Sequence, residues 1–77
     1  ELAVRLAKDE IRVNCIAFGG VEGRVENDFK ERYAKFCPIG RMLLESDLTS
    51  PVEMLISDDS TAITGHTLVV DGGWSIW

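Results

Sequence analysis

The sequence predicts an α/β fold with parallel strands. Three observations carry this. Two strand-like runs, at about residues 11–17 and 67–71, each stop at a glycine-containing turn. The stretches before and between them place apolar residues at helical spacing. The resulting order is helix, strand, helix, helix, strand, and strands joined through helices pair in parallel by a right-handed crossover.

Glu1 to Lys8 reads as the end of a helix: Leu2, Ala3, Leu6 and Ala7 share a face, with Arg5 and Lys8 on the polar side. The first turn has no capping residue, so the helix is expected to begin before residue 1. Asp9-Glu10 is a short connection. In Ile11 to Ala17, the residues Ile11, Val13, Cys15 and Ala17 share one face and Ile16 is apolar on the other, so both faces are expected to be covered. Phe18-Gly19-Gly20-Val21-Glu22-Gly23 follows as a glycine-rich loop. In open α/β sheets ligands sit at the carboxyl ends of strands. Gly20 and Gly23 fit part of G-x-G-x-x-G, with Phe18 in place of its first glycine. A phosphate cradle and a turn that needs positive φ are both open readings.

Residues 24 to 36 form an amphipathic helix with Val25, Phe29, Tyr33 and Phe36 as its apolar stripe. Glu26–Lys30 and Glu31–Lys35 are spaced for helical ion pairs. Pro38 ends the helix, and Cys37 before it should be extended. Pro38-Ile39-Gly40-Arg41 is a loop. A further helix lies within residues 46–57. It starts either at Ser46 or at Ser50, where Ser50-Pro51-Val52-Glu53 has capping-box spacing. Asp58 to Thr61 is a polar turn. Thr64-Gly65 then opens the last strand, Thr67 to Val70, which reads as buried, and Asp71-Gly72-Gly73 stops it. Asp71 is expected to bond its own turn backbone, and His66, the one histidine, to be exposed or at an interface.

Composition excludes some functions. A 77-residue chain is one small domain or part of a larger one, and 45% hydrophobic with 27% charged residues is a globular composition. The net charge of −5 argues against a nucleic-acid surface. No apolar run approaches a membrane span. Cys15 and Cys37 lack metal-ligand spacing and read as free thiols, so no metal site is expected.

Five words in this order resemble the short-chain dehydrogenase/reductase family: Ile11-Arg12-Val13-Asn14; Phe18-Gly19, where the family usually has Pro-Gly; Pro38-Ile39-Gly40-Arg41; Leu55-Ile56-Ser57-Asp58; and Thr64 to Gly73. Together they span nearly the whole chain. The resemblance implies the C-terminal part of a Rossmann-type doubly wound parallel sheet, with residues 1–77 as one portion of a single domain. It implies NAD or NADP as hydride carrier, a small carbonyl or alcohol substrate, and a cytoplasmic homodimer or homotetramer. It places the family's Ser, Tyr and Lys catalytic residues and its cofactor-binding N-terminal part upstream of Glu1, so no catalytic residue is assigned here. Tyr33-Ala34-Lys35 does not have the Y-x-x-x-K spacing, since position 37 is Cys37, and Tyr33 reads as a packing residue.

By the same resemblance Gly19, Gly20, Val21, Glu22 and Gly23 are the cofactor-binding residues. The Val21 backbone donor would meet the nicotinamide carboxamide, and Gly23 stands where a threonine is frequent. Phe18 in place of proline is expected to loosen this loop. Residues 22–37 would be a lid over the substrate. The Phe-Gly-Gly loop and the Trp74-Ser75-Ile76-Trp77 end look similar to family members acting on bacterial surface sugars, which suggests a sugar derivative as substrate. The generic alternative is a 3-oxoacyl-carrier-protein reductase-like enzyme. A non-catalytic module that joins subunits through the first helix and the tryptophan-bearing tail is the alternative of another class.

Overall fold

The structure is a computed structural model and describes residues 1–76; Trp77, part of the tail singled out above, lies outside the described residues. Helix α1 (Leu2–Leu6) tightens into a 3₁₀ turn at Ala7–Asp9. Strand β1 (Cys15–Phe18), helix α2 (Asn27–Phe36), helix α3 (Thr49–Ile56) and strand β2 (Thr67–Val70) follow, and a 3₁₀ turn at Trp74–Ile76 comes last. The strands pair in parallel, with Cys15 opposite Thr67 and Phe18 opposite Val70. The α/β class and the parallel neighbours are as the sequence predicts.

The first strand starts four residues later than expected, because residues 11–14 bond to the connection before β2 rather than to a ladder. The Arg12 guanidinium donates to the Ile63 and Ser57 carbonyls at 3.0 and 3.1 Å. The Asn14 amide donates to Ile63 O at 3.0 Å, and its oxygen accepts the His66 N–H at 3.0 Å. The Val13 N–H donates to Thr64 Oγ1. The Ile-Arg-Val-Asn word is therefore a side-chain clamp on the segment leading into β2.

Helix α1 ends without glycine. Glu10 takes φ 60°, its N–H donates to Ala7 O, and the Ile11 N–H donates to Leu6 O at 3.2 Å. This is a Schellman end built on a glutamate. Cys37 is extended before Pro38, with φ −97° and ψ 126°, as proline requires. Neither predicted ion pair of α2 forms; Lys30 instead reaches Glu22 at 3.8 Å. Exposed pairs are worth only tenths of a kcal/mol, so any nearby carboxylate can divert the lysine.

The third helix combines both predicted starts. Glu45–Leu48 is a 3₁₀ turn that leads into α3 at Thr49, which leaves Pro51 in the first α-helical turn. The Ser50 capping box does not form; Asp47 accepts the Leu44 N–H and pairs with Arg41, both at 2.7 Å. These contacts, Arg41 foremost, hold the Asp47 carboxyl below its ordinary value of 3.8. A depressed aspartate stabilises the fold above its ordinary value and loses that contribution as pH falls through the lower one. Acidification below about pH 4 should therefore loosen residues 41–48 in the intact protein. Protection of the amides there, relative to their intrinsic exchange rates, should fall on acidification in the wild type, and Asp47→Asn should abolish that dependence.

Two burial expectations are corrected. Along β2, Leu68 and Val70 are half-buried, but Thr67 and Val69 are exposed, Val69 at 52%. In β1 only Ile16 is half-buried, while Cys15, Ala17 and Phe18 are exposed. The cause is the same in both: each strand has one neighbour, and among the described residues one sheet face has little packed on it. The buried apolar side chains among the described residues are Ala3 on α1, Cys37, Met42 and Leu43 between α2 and α3, and Leu55 on α3. Cys15 and Cys37 are free thiols.

Candidate functional site

Both strands end at the same edge of the sheet, and their carboxyl ends open onto two turns. One is the loop 19–23. The other is Asp71-Gly72-Gly73, where Gly72 and Gly73 adopt φ 65° and 89°, so the turn needs residues without a Cβ strain. Asp71 organises it as predicted. Its carboxylate accepts the Gly73 N–H at 2.9 Å and the Ser75 N–H at 3.0 Å, and its carbonyl accepts the Trp74 N–H at 3.2 Å. The Ser75 hydroxyl first, and then the surrounding N–H groups, hold the Asp71 carboxyl below the usual aspartate range. Asp71 is thus an ionised anchor of this turn.

The loop after β1 is tied at both ends. The Gly19 N–H donates to Val70 O at 2.9 Å. Val21 then bridges Leu43 in parallel, with the Leu43 N–H donating to Gly20 O at 2.8 Å and the Glu22 N–H to Leu43 O at 2.7 Å. Phe18 lies inside β1 opposite Val70, so the loop start is held by a ladder, contrary to the loosening expected there. None of the loop glycines takes positive φ, which corrects the positive-φ reading. Two are required instead by close approach. A Cβ at Gly19 would lie 2.8 Å from the Asp71 Cβ and 2.9 Å from its Cα; one at Gly20 would lie 2.9 Å from three atoms of Tyr33.

A cleft of about 530 Å³ lies at this edge, lined by Phe18, Gly19, Gly20, Tyr33, Asp71 and Trp74 among others. Of the five predicted cofactor-binding residues, Gly19 and Gly20 line it. Val21, Glu22 and Gly23 run on from it. Glu22 carries the contact to Lys30, and no atom lies within 4 Å of a Cβ built at Gly23. The Val21 N–H finds no acceptor among the described residues. The Gly20–Val21 peptide is trans, with its carbonyl bonded to Leu43, so its N–H points the opposite way, away from Leu43. The Val21 N–H is therefore an unspent backbone donor whose direction is fixed by the bond from Leu43 to Gly20 O.

Tyr33 has a larger part than the sequence suggests. Its hydroxyl accepts the Gly20 N–H at 2.9 Å. Its ring stacks on Trp74 at 4.4 Å between centroids and 24° between planes, and Phe29 leans on it at 6.2 Å. The stripe of α2 is otherwise open: Phe29 is 44% and Phe36 60% exposed. An adjoining groove of about 420 Å³ is lined by Phe29, Arg32, Tyr33, Phe36 and Trp74. Helical spacing placed Tyr33 on the stripe, but nothing local in the sequence announces its bond to a loop thirteen residues earlier. Among the described residues no cluster of His, Cys, Asp and Glu is arranged to hold a metal, and no helix is long and apolar enough to cross a membrane.

Comparison with known proteins places this geometry. A family model described as enoyl-(acyl carrier protein) reductase matches residues 1–75. Post-translational flagellin modification protein A of Campylobacter coli is 43% identical over 75 residues, covering 97% of this chain and 29% of the relative. A human 3-oxoacyl-acyl-carrier-protein reductase is 41% identical over 73 residues, covering 94% of this chain and 30% of the relative. A solved short-chain dehydrogenase from Leptospira borgpetersenii with bound NAD⁺ superposes with a TM-score of 0.88 at 42% identity, over 95% of this chain and 29% of that one. The chain thus spans just under a third of the length of these relatives.

Proposed function

The chain belongs to the short-chain dehydrogenase/reductase family, and we propose that it supplies the nicotinamide-side loop, the substrate-covering helix and a subunit-interface strand of an NAD(P)-dependent oxidoreductase. The observation that carries this reading is the unspent Val21 N–H on a fixed loop at the carboxyl end of β1. A backbone donor held there suits a carboxamide oxygen, and a glycine-lined approach lets a planar ring come close. NAD or NADP would supply or accept the hydride. Gly19 to Gly23 would orient its nicotinamide, while the family's Ser, Tyr and Lys act from residues outside this chain. The intact protein is proposed to be a homodimer or homotetramer in the cytoplasm. Its substrate is proposed to be a small carbonyl or alcohol compound, with a sugar derivative favoured because the aromatic residues Phe29, Tyr33 and Trp74 line the adjoining groove.

Assaying the intact protein with NADH and NADPH over a panel of sugar-derived and simple carbonyls tests this. Cofactor oxidation that depends on the carbonyl is expected, and none with either cofactor would contradict the reading. The departure at Gly23 gives a finer test. A Cβ there meets nothing, so Gly23→Thr should fold normally. By adding a hydroxyl at the cofactor it should lower the KM for NAD(P)H about two- to tenfold, the range of one added hydrogen bond.

Residues 22–37 are proposed to act as the lid. Support comes from the exposed aromatic face of α2 beside the cleft and from the few contacts that tie the helix down. Their amides should exchange faster than those of β1 and β2 in the substrate-free protein and slow when substrate binds. Equal protection in both states would contradict a lid role for residues 22–37.

A further inference from the structure

Resting on the reading of residues 19–23 as the nicotinamide loop, we propose that Tyr33 is a positioning residue for the cofactor's carboxamide contact. The two peptides that meet at Gly20 are pinned by different partners. The Gly20–Val21 peptide is held through its carbonyl by the Leu43 N–H at 2.8 Å. The Gly19–Gly20 peptide is held through the Gly20 N–H by the Tyr33 hydroxyl at 2.9 Å. Between them lies a residue without a side chain, the one most able to swing. Tyr33 thereby limits the rotation of Gly20, and with it the direction of the Val21 N–H.

Tyr33 can do this because its own ring is fixed. It stacks on Trp74 at 4.4 Å, and Trp74 begins the short helical turn that Asp71 anchors. The loop, the lid helix and the turn after β2 are thus joined at one phenol. The absence of a side chain at Gly20 has the same origin, since any Cβ would meet the Tyr33 ring edge and hydroxyl at 2.9 Å. Helical spacing assigns Tyr33 to packing; the geometry gives its hydroxyl a separate task.

Tyr33→Phe in the intact enzyme tests this, because it keeps the stacked ring and removes only the acceptor. The KM for NAD(P)H should rise about tenfold, as expected when a part-buried donor loses its partner. The KM for the carbonyl substrate should change by less than about twofold, since the ring face is retained. The Gly20 and Val21 amides should exchange faster in the variant. A double-mutant cycle gives an independent reading: Gly20→Ala should cost less in a Tyr33→Leu background than in the wild type, where the new methyl meets the ring. A wild-type protein that oxidises NAD(P)H, together with an unchanged cofactor KM in Tyr33→Phe and additive effects in the cycle, would overturn the positioning role and leave the oxidoreductase reading intact. A wild-type protein inactive with both cofactors would instead remove the reading on which the role rests.

Discussion

Gly20→Val in the intact protein is expected to lower kcat/KM for NAD(P)H about a hundredfold, the cost of an ångström-scale misplacement at a reacting group. The valine Cβ would arrive 2.9 Å from three Tyr33 atoms. Tyr33 cannot simply step aside, because Trp74 covers its face, so the loop or the lid must shift. Gly19→Val is the informative control. There the Cβ meets the Asp71 backbone at 2.9 Å, which does not give, so the loss should appear as a lowered Tm and poor folding rather than as a cofactor defect. Unchanged kinetics for Gly20→Val would count strongly against the assignment of this loop.

The second large effect concerns the 77-residue polypeptide by itself. It is expected to associate or to be partly unfolded, and neither to bind NAD(P) tightly nor to reduce a carbonyl. Its radius of gyration is 15.5 Å, whereas a compact chain of this length would have about 11–12 Å. Its accessible surface is 5845 Å², against roughly 4,700 Å² for a folded monomer of its mass. Leu2, Phe29 and Trp74 are 54%, 44% and 40% exposed, and among the described residues no large side chain is fully buried. Two strands with uncovered edges are marginal and invite pairing with another chain. Apolar surface this extensive needs cover, either from further parts of the same sheet or from neighbouring subunits. A monomer in sedimentation with sharp, cooperative unfolding would defeat this expectation, and so would cofactor-dependent turnover by the purified polypeptide.

What the sequence makes legible here is what local chemistry encodes. Strand β2 follows from Thr67 to Val70 between two turns, and the parallel pairing follows from the helices that intervene. The extended Cys37 follows from Pro38, and the Asp71 turn from Asp-Gly-Gly. What is not legible depends on partners distant in sequence. The late start of β1 is decided by Arg12 and Asn14 reaching carbonyls and an amide some fifty residues away. The end of α1 uses Glu10 at φ 60°, where glycine is the usual signal. The start of α3 is a compromise between Asp47, which caps a 3₁₀ turn, and Pro51, which tolerates only a first-turn position. At the site, the loop itself is marked by its glycines and by its place after a strand. The reason Gly20 must be glycine is the Tyr33 phenol, and no periodicity carries that contact.

In the proposed function, the loop after β1 meets the nicotinamide through the Val21 N–H. A crystal structure of the intact protein with NAD⁺ or NADP⁺ tests it most directly. The carboxamide oxygen is expected within hydrogen-bond distance of the Val21 nitrogen, about 2.7–3.2 Å, with the Tyr33 hydroxyl still accepting the Gly20 N–H. A nicotinamide bound away from residues 19–23, or a Val21 N–H donated to a protein acceptor, would contradict it.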